Sequence, residues 1–293
     1  MNKGITKGLL LALISSFLYA FNIIIDKKYI NMINAESILF TMYLGGSIGL
    51  ILIHLFTKKN IKSTKNKITK KEVPLVTTIV ICELLASLFI IEAVKLINAS
   101  LVSLLSIFEI IMTAICSYFI FKNPLKKNEI IAIVLMFIGY FILNFQSGIF
   151  SNINISSLLV IASCLCWGIE NNVTAMISSK EPAFFTSIKC FFVALFYLII
   201  ALISNNLNLS FPILFFYGFF TYGISILSYA ISTKYLGVNK ATLVFSFSPI
   251  FGVLLALIIY GDPINIEFVI STILMISAIL LINKDFNKEE VKK

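Results

Sequence analysis

Apolar runs of about twenty residues recur along most of the chain, separated by short polar breaks. About 20 apolar residues is the length a helix needs to cross the hydrocarbon of a bilayer. Ten such runs can be drawn, at 7–25, 36–56, 74–93, 98–120, 128–146, 155–176, 182–203, 211–233, 238–259 and 264–282. The pattern predicts an all-α integral membrane protein with ten transmembrane helices. Lys3 and Lys7 before the first run imitate a signal peptide, but no small-residue cleavage site follows. It therefore reads as a first membrane helix.

Charge sits mainly in the breaks, and unevenly. The N-terminus, KKNIKSTKNKITKKE, KNPLKKNE and the tail NKDFNKEEVKK are rich in lysine, whereas QSGIFSNINI and SNNLNLS carry no charge. With ten spans, 19 of 23 lysines fall on one side, Lys27, Lys28 and Lys95 on the other, and Lys189 within a run. The positive-inside rule makes the lysine-rich side cytoplasmic, with both termini there in a cell-membrane protein. The seven lysines in 58–71 then set topology and meet anionic lipid.

Composition agrees. Of 293 residues, 59% are apolar and 13% charged, against about 45–50% and about 25% in soluble domains; the mean hydropathy is +1.00. The net +9 comes from lysine without arginine and belongs to loops, which argues against nucleic acid as a partner. Cys82, Cys116, Cys164, Cys166 and Cys190 all lie in apolar runs and behave as small hydrophobes, with no disulfide framework. His54 stands alone at the end of the second run, without metal-site spacing. No cofactor is expected.

The chain repeats. Residues 95–144 align without a gap to 234–283, setting Lys95 on Lys234, Asn123-Pro124 on Asp262-Pro263 and Asn144 on Asn283. SSFLYAFN, from Ser15 to Asn22, also matches SCLCWGIE, from Ser163 to Glu170, so Tyr19 falls on Trp167 and Asn22 on Glu170. Two halves follow, 1–146 and 147–293. Five spans per half force opposite orientations, the inverted repeat of secondary transporters, whose site lies where the halves meet near mid-membrane.

Ten helices in two inverted five-helix repeats, each half ending in a helix, a short Pro-containing turn and a last helix, resemble the EamA family of the drug/metabolite transporter superfamily. The resemblance spans the chain and is clearest at NKATLVFSFSPIFGVLLALIIYGDPINIEFVISTILMISAILLI, with mid-helix Pro249. Where the family shows Gly-Glu before the turn, this chain has Gly261-Asp262 and Lys122-Asn123. Glu109 takes the place of a glutamate that often precedes the family's proline in the first half, and Ile110 replaces that proline, which predicts a straighter fourth helix. The family implies secondary transport of small polar metabolites without ATP, often export of amino acids or their relatives. Consistently, no GxxxxGK[ST] loop occurs.

Candidate site residues are those a bilayer should reject. At 1.5 Å per residue, Glu170 and Lys189 lie about 9 and about 10 Å from the cytoplasmic ends of helices six and seven, Glu83 about 14 Å deep and Glu109 about 17 Å. A charge near mid-bilayer costs at least about 2.5–3.5 kcal/mol, so it faces a partner or a wet cavity. Glu170 and Lys189, at equal depth on consecutive helices, suit an ion pair, structural or substrate-binding. Glu83 and Glu109 show no cationic mate at their depth, which leaves protonation, hydrogen bonding or a bound cation; protons are thus a candidate coupling ion. Glu92 and Lys95, three apart, read as an interfacial pair.

Trp167, Glu170 and Asn171 share a helical face. An aromatic ring beside a carboxylate suits an ammonium group. Asn22, opposite Glu170 in the repeat, and Tyr43 complete the candidate lining, with Tyr19, Tyr222 and Tyr229 also in helices. WGxE also resembles a bacterial choline permease of the same superfamily, which leaves uptake of a quaternary amine as an alternative substrate reading. Gly45 and Gly49 form a GxxxG that brings helices close. A channel fits the inverted repeat and scattered buried charges less well. An intramembrane enzyme lacks an HExxH, a nucleophile with a base, or paired aspartates. The expected partners are a small-molecule substrate and the lipid bilayer, with the protein a monomer or homodimer.

Overall fold

The computed structural model describes residues 3–57, 70–122, 127–145, 155–177, 182–236, 241 and 244–290. Most of the lysine-rich 58–71 segment, the Asn123-Pro124 turn and most of QSGIFSNINI lie outside them. The described residues are helical with short connections: α1 (Lys3–Tyr29), α2 (Ala35–Thr57), α3 (Val73–Leu96), α4 (Ala99–Leu105), α5 (Phe108–Phe121), α6 (Lys127–Phe145), α7 (Ile155–Met176), α8 (Pro182–Ile203), α9 (Ile213–Gly218), a π-helical turn (Phe219–Ile224), α10 (Ser225–Leu236), α11 (Ser248–Tyr260) and α12 (Ile266–Glu290). Among the described residues, six stretches are long and apolar enough to cross a membrane: Gly4–Tyr29, Ala35–Leu55, Lys70–Leu96, Ala99–Phe121, Ile155–Thr174 and Phe184–Ile203. Four shorter apolar helices, Ile130–Ile142, Ile213–Tyr229, Ser248–Tyr260 and Ile266–Ala278, coincide with the remaining predicted runs.

The molecule presents apolar side chains outward and encloses polar ones. Phe119, Phe141, Ile203 and Ile258 are 64–80% exposed, while Ser15, Ser16, Ser103, Ser225 and Ser232 are fully buried. Such an exterior is stable only against lipid, where no hydrophobic force separates outside from core and close packing must hold helices together.

The packing keeps its pattern when the halves are exchanged. Helix α2 packs on α8, α6 on α12 and α4 on α11; α3 on α7 is matched by α1 on α10, and α5 on α7 by α1 on α11. The fold is a two-repeat membrane bundle. Glycines set its closest contacts. A Cβ on Gly218 would lie 1.8 Å from the Met42 carbonyl oxygen, one on Gly45 1.9 Å from that of Phe215, and one on Gly49 1.9 Å from the Phe219 ring. The Gly45–Gly49 face thus seats α9 and the π turn.

Both halves contain a helix broken part-way. Between α4 and α5 the backbone tightens to i−3 bonding: Ile107 N–H donates to Leu104, Glu109 to Ser106 and Ile110 to Ile107. The fourth helix is therefore not straight. Ser106 achieves without proline what was expected to need one, its Oγ donating to the Val102 carbonyl at 2.9 Å and competing with the helical ladder. The Cys164 thiol approaches the loosened carbonyls of Leu105 and Ser106 at 3.9 and 3.8 Å. In the second half Phe247 N–H donates to Val244 before α11 starts with Pro249 in its first turn. Each broken helix ends in a left-handed residue, Lys122 (φ 57°) and Gly261 (φ 62°). Their positions keep the offset of Lys95 and Lys234.

Gly218→Val should destabilise the protein by at least about 1–3 kcal/mol through overpacking against Met42. A lowered melting temperature in detergent checks it; an unchanged one would contradict the close approach of α2 and α9.

Candidate functional site

The opening of α7 toward the bundle is made by Gly168, whose Cβ position lies 2.7 Å from the Met112 backbone of α5. Only glycine lets the two helices meet there, and the next residues use that closeness in turn. Lys189 of α8 reaches Glu170 Oε1 at 2.9 Å. Asn171 Nδ2 donates to Glu109 Oε1 at 2.9 Å and to Thr113 Oγ1 at 3.3 Å. Asn172 Nδ2 donates to the Thr113 carbonyl at 2.9 Å.

Lys189 also contacts Glu83 Oε2 on α3, at 3.2 Å. Glu83 therefore has the cationic mate that depth along its own helix did not reveal, because α3 packs against α7 and touches α8. One ammonium is shared by two carboxylates, and all three residues are nearly enclosed, at 2%, 7% and 5% exposure for Glu83, Glu170 and Lys189. The Tyr43 hydroxyl donates a short hydrogen bond to Glu83 Oε1. Tyr43 is stacked on Tyr222, with ring centroids 4.2 Å apart, and its other neighbour Tyr197 shares a hydrogen bond of 2.9 Å with Ser87. Glu83 is thus fully engaged. Glu170 is less so: its carboxyl group lies within hydrogen-bonding reach of that of Glu83, and its buried Oε2 receives no donor.

Asn171 and Glu109 form a second, more open pair. Asn171 is exposed, yet it lies six residues past the lipid-facing Leu165, about 120° around the helix at 100° per residue. Its exposed side is therefore not the side of α7 that Leu165 turns to lipid. Trp167 sits between Glu170 and Asn171 on the same turn, in edge contact with Tyr19 at 6.4 Å, and its indole N–H is buried without a partner. Tyr19 in turn meets Phe245, which meets Tyr229. Asn22, one turn beyond Tyr19, is buried with both amide atoms unpartnered.

The structure therefore gathers Glu83, Glu170, Lys189 and Tyr43 into one network, sets Glu109 with Asn171 beside it, and leaves Trp167 and Asn22 with free polar atoms. Sequence reasoning missed Asp26, buried at 1% exposure on α1 with Oδ1 unpartnered; its spacing of four from Asn22 was the available signal. Glu92 and Lys95 pair at 2.5 Å on the surface, as read from the sequence. Asp262 accepts the Ser100 N–H at 2.9 Å, and so caps the start of α4.

A family model of EamA-like transporters matches residues 6–145 and again 154–284. The chain belongs to the EamA-like transporter family. Like its relatives in that family, it is a membrane protein built from two related halves. A curated protein of Methanothermobacter thermautotrophicus, described as an uncharacterized transporter, is 26% identical over 195 residues, covering 64% of this chain. The match spans 56% of that relative's length. A solved crystal structure of a protein shares the fold, with a TM-score of 0.69 over 94% of each chain at 12% identity.

For this EamA protein, Lys189→Met should cost about 3–5 kcal/mol or prevent folding, because two carboxylates lose their buried cation. Adding Glu83→Gln and Glu170→Gln should restore most of the loss. Melting followed with a thiol-reactive dye reads this directly, since Cys82, Cys116, Cys164 and Cys190 are buried. A Lys189→Met protein as stable as wild type would contradict the shared ion pair.

Proposed function

We propose that the protein is a secondary active transporter that moves an amino acid or related amine across the cell membrane by alternating access, in the export direction. In this reading ten helices cross the bilayer as two inverted repeats, 1–146 and 147–293, with both termini in the cytoplasm. The lysine distribution supports the orientation. Broken helices in both halves, each interrupted part-way, support a site between them.

The observation that carries the substrate reading is a buried, unsatisfied acceptor and donor one turn apart: Glu170 Oε2 and Trp167 Nε1. A substrate ammonium would donate to Glu170 Oε2, while the indole N–H and the Asn22 amide meet a carboxylate or other acceptor. Buried polar atoms left unpaired cost about 1–3 kcal/mol each, which a ligand of that chemistry recovers. A quaternary amine carries no N–H and cannot satisfy Glu170 in this way, so the geometry favours an amine with free hydrogens over choline.

The network also suggests how binding couples to movement. A substrate ammonium at Glu170 competes with Lys189, which then leans toward Glu83 and loosens α8 from α7. A ligand shifts a conformational equilibrium only by such differential contacts. The open Glu109–Asn171 pair lies next to this exchange and is positioned to take a proton or a substrate amine.

Trp167 is the single tryptophan, so its fluorescence reports the site. Amino acids with a free ammonium should give a saturable change, their N-acetyl forms and choline none. Glu170→Gln should weaken the response about 10-fold or more, the loss of a charge-assisted hydrogen bond. Equal affinity in Glu170→Gln would remove the amine from this position.

A further inference from the structure

At one end of the bundle, side chains tie the two halves together. The Tyr260 hydroxyl, at the end of α11, donates to the Ile24 carbonyl of α1 at 2.5 Å. Asp262, in the turn that follows, accepts the Ser100 N–H at the start of α4 at 2.9 Å. Helices α1 and α4 belong to the first half and α11 to the second. Lys27 braces the first-half side of this junction. Its Nζ donates to the carbonyls of Val94 and Ile97 at 2.8 Å each, which fixes the end of α1 to the corner between α3 and α4. The charge of Asp262 also acts on the Lys27 ammonium.

A tightly closed seam runs inward from these ties. Gly252, Ala256 and Tyr260 follow at four-residue spacing on α11 and so share a face. Ala99 and Ser103 share a face of α4 in the same way, and Ala20 and Ile24 a face of α1. These faces meet: Ile24, Ala99 and Ala256 pack as one buried cluster with Tyr260 against it. A Cβ on Gly252 would lie 2.6 Å from Ser103 Oγ and 3.9 Å from the Ala20 carbonyl oxygen. Ala20, Ile24, Ala99, Ser103 and Ala256 are at most 4% exposed. Tyr19, which touches Trp167, precedes Ile24 by five residues, about 7.5 Å along α1. The seam thus closes the bundle beyond the Trp167 side of the site.

In lipid no hydrophobic force presses such a seam shut, and small residues hold it by close packing alone. The hydrogen bonds at its mouth are then its directional hold. We propose, resting on the transporter reading and the orientation given with it, that this seam is the outer gate, with Tyr260 and Asp262 as its latch and Lys27 as its brace. Opening moves α11 away from α1 and α4 and wets Ser103. Water takes over the freed hydroxyl, carboxylate and backbone groups as the seam parts, so the latch is released at the net cost of ordinary hydrogen bonds.

Ser103→Cys reports the seam without any substrate. Full-length protein in detergent is treated with a charged methanethiosulfonate, and mass spectrometry reads which cysteine is modified, so the native cysteines stay. Ser103→Cys should react slowly by itself and about 10-fold or more faster with Asp262→Ala added, the loss of one charge-assisted hydrogen bond. Tyr260→Phe should act in the same direction. Asn265→Ala removes a cap that lies wholly within the second half, where Asn265 Oδ1 accepts the Phe268 N–H at 2.9 Å, and should leave the rate unchanged. If Asp262→Ala does not fold, Tyr260→Phe and Lys27→Met carry the test. Rates unmoved by these variants, or raised as much by Asn265→Ala, overturn the proposal. In proteoliposomes, Ser100→Cys with Asp262→Cys, once oxidised to a disulfide, should block counterflow until it is reduced; counterflow through the oxidised protein overturns the gate as well. Absence of counterflow in the wild type strikes the transport reading alone, and the labelling rates then decide the latch.

Discussion

One lysine shared by two glutamates organises this bundle. Lys189 joins α8 to α7 and α3 at once, in surroundings where neither charge nor hydrogen bond can be left to water. Two carboxylates around one ammonium leave a negative excess, and the protein absorbs it unevenly. Glu83 receives Tyr43 as well, while Glu170 keeps one oxygen free. In the reading we propose, that free oxygen of Glu170 is where a substrate cation competes with Lys189.

The surrounding packing serves this network. Gly168 draws α7 against α5 so that Asn171 and Asn172 meet Glu109 and Thr113, and Gly45, Gly49 and Gly218 draw the second helix against the π turn that carries Tyr222. Close backbone approach replaces the hydrophobic effect, which lipid removes as a force between helices. The same economy explains the broken helices. Ser106 loosens the first and Pro249 opens the second, and each break exposes backbone groups only where neighbouring helices cover them.

Much of this was legible in the sequence because the bilayer writes its demands there. Six of the predicted runs coincide with helices long and apolar enough to span a bilayer, and the other four overlap shorter apolar helices, since lipid contact fixes polarity. The repeat was legible in its offset, which Lys122 and Gly261 keep to the residue. Glu170 and Lys189 could be paired from depth alone, because their helices follow one another closely in the chain. The partner of Glu83 could not. It depends on which distant helix lies beside α3, and apolar helices carry little information about neighbours. The break at Ser106 was hidden because serine weakens a helix only where the tertiary setting lets it, and the absent proline pointed the other way. Asp26 was hidden by its position next to Lys27 and Lys28, where a carboxylate reads as an interfacial charge; only the fold shows it turned inward.

The central claim is that Glu170 receives a substrate amine in a protein that exchanges access between two sides. Solute counterflow in proteoliposomes tests it most directly. Vesicles preloaded with an unlabelled amino acid should transiently accumulate the labelled one through the wild-type protein, and Glu170→Gln protein, inserted to the same level, should not. Flux that never saturates and shows no counterflow, or full counterflow in Glu170→Gln, would contradict the account.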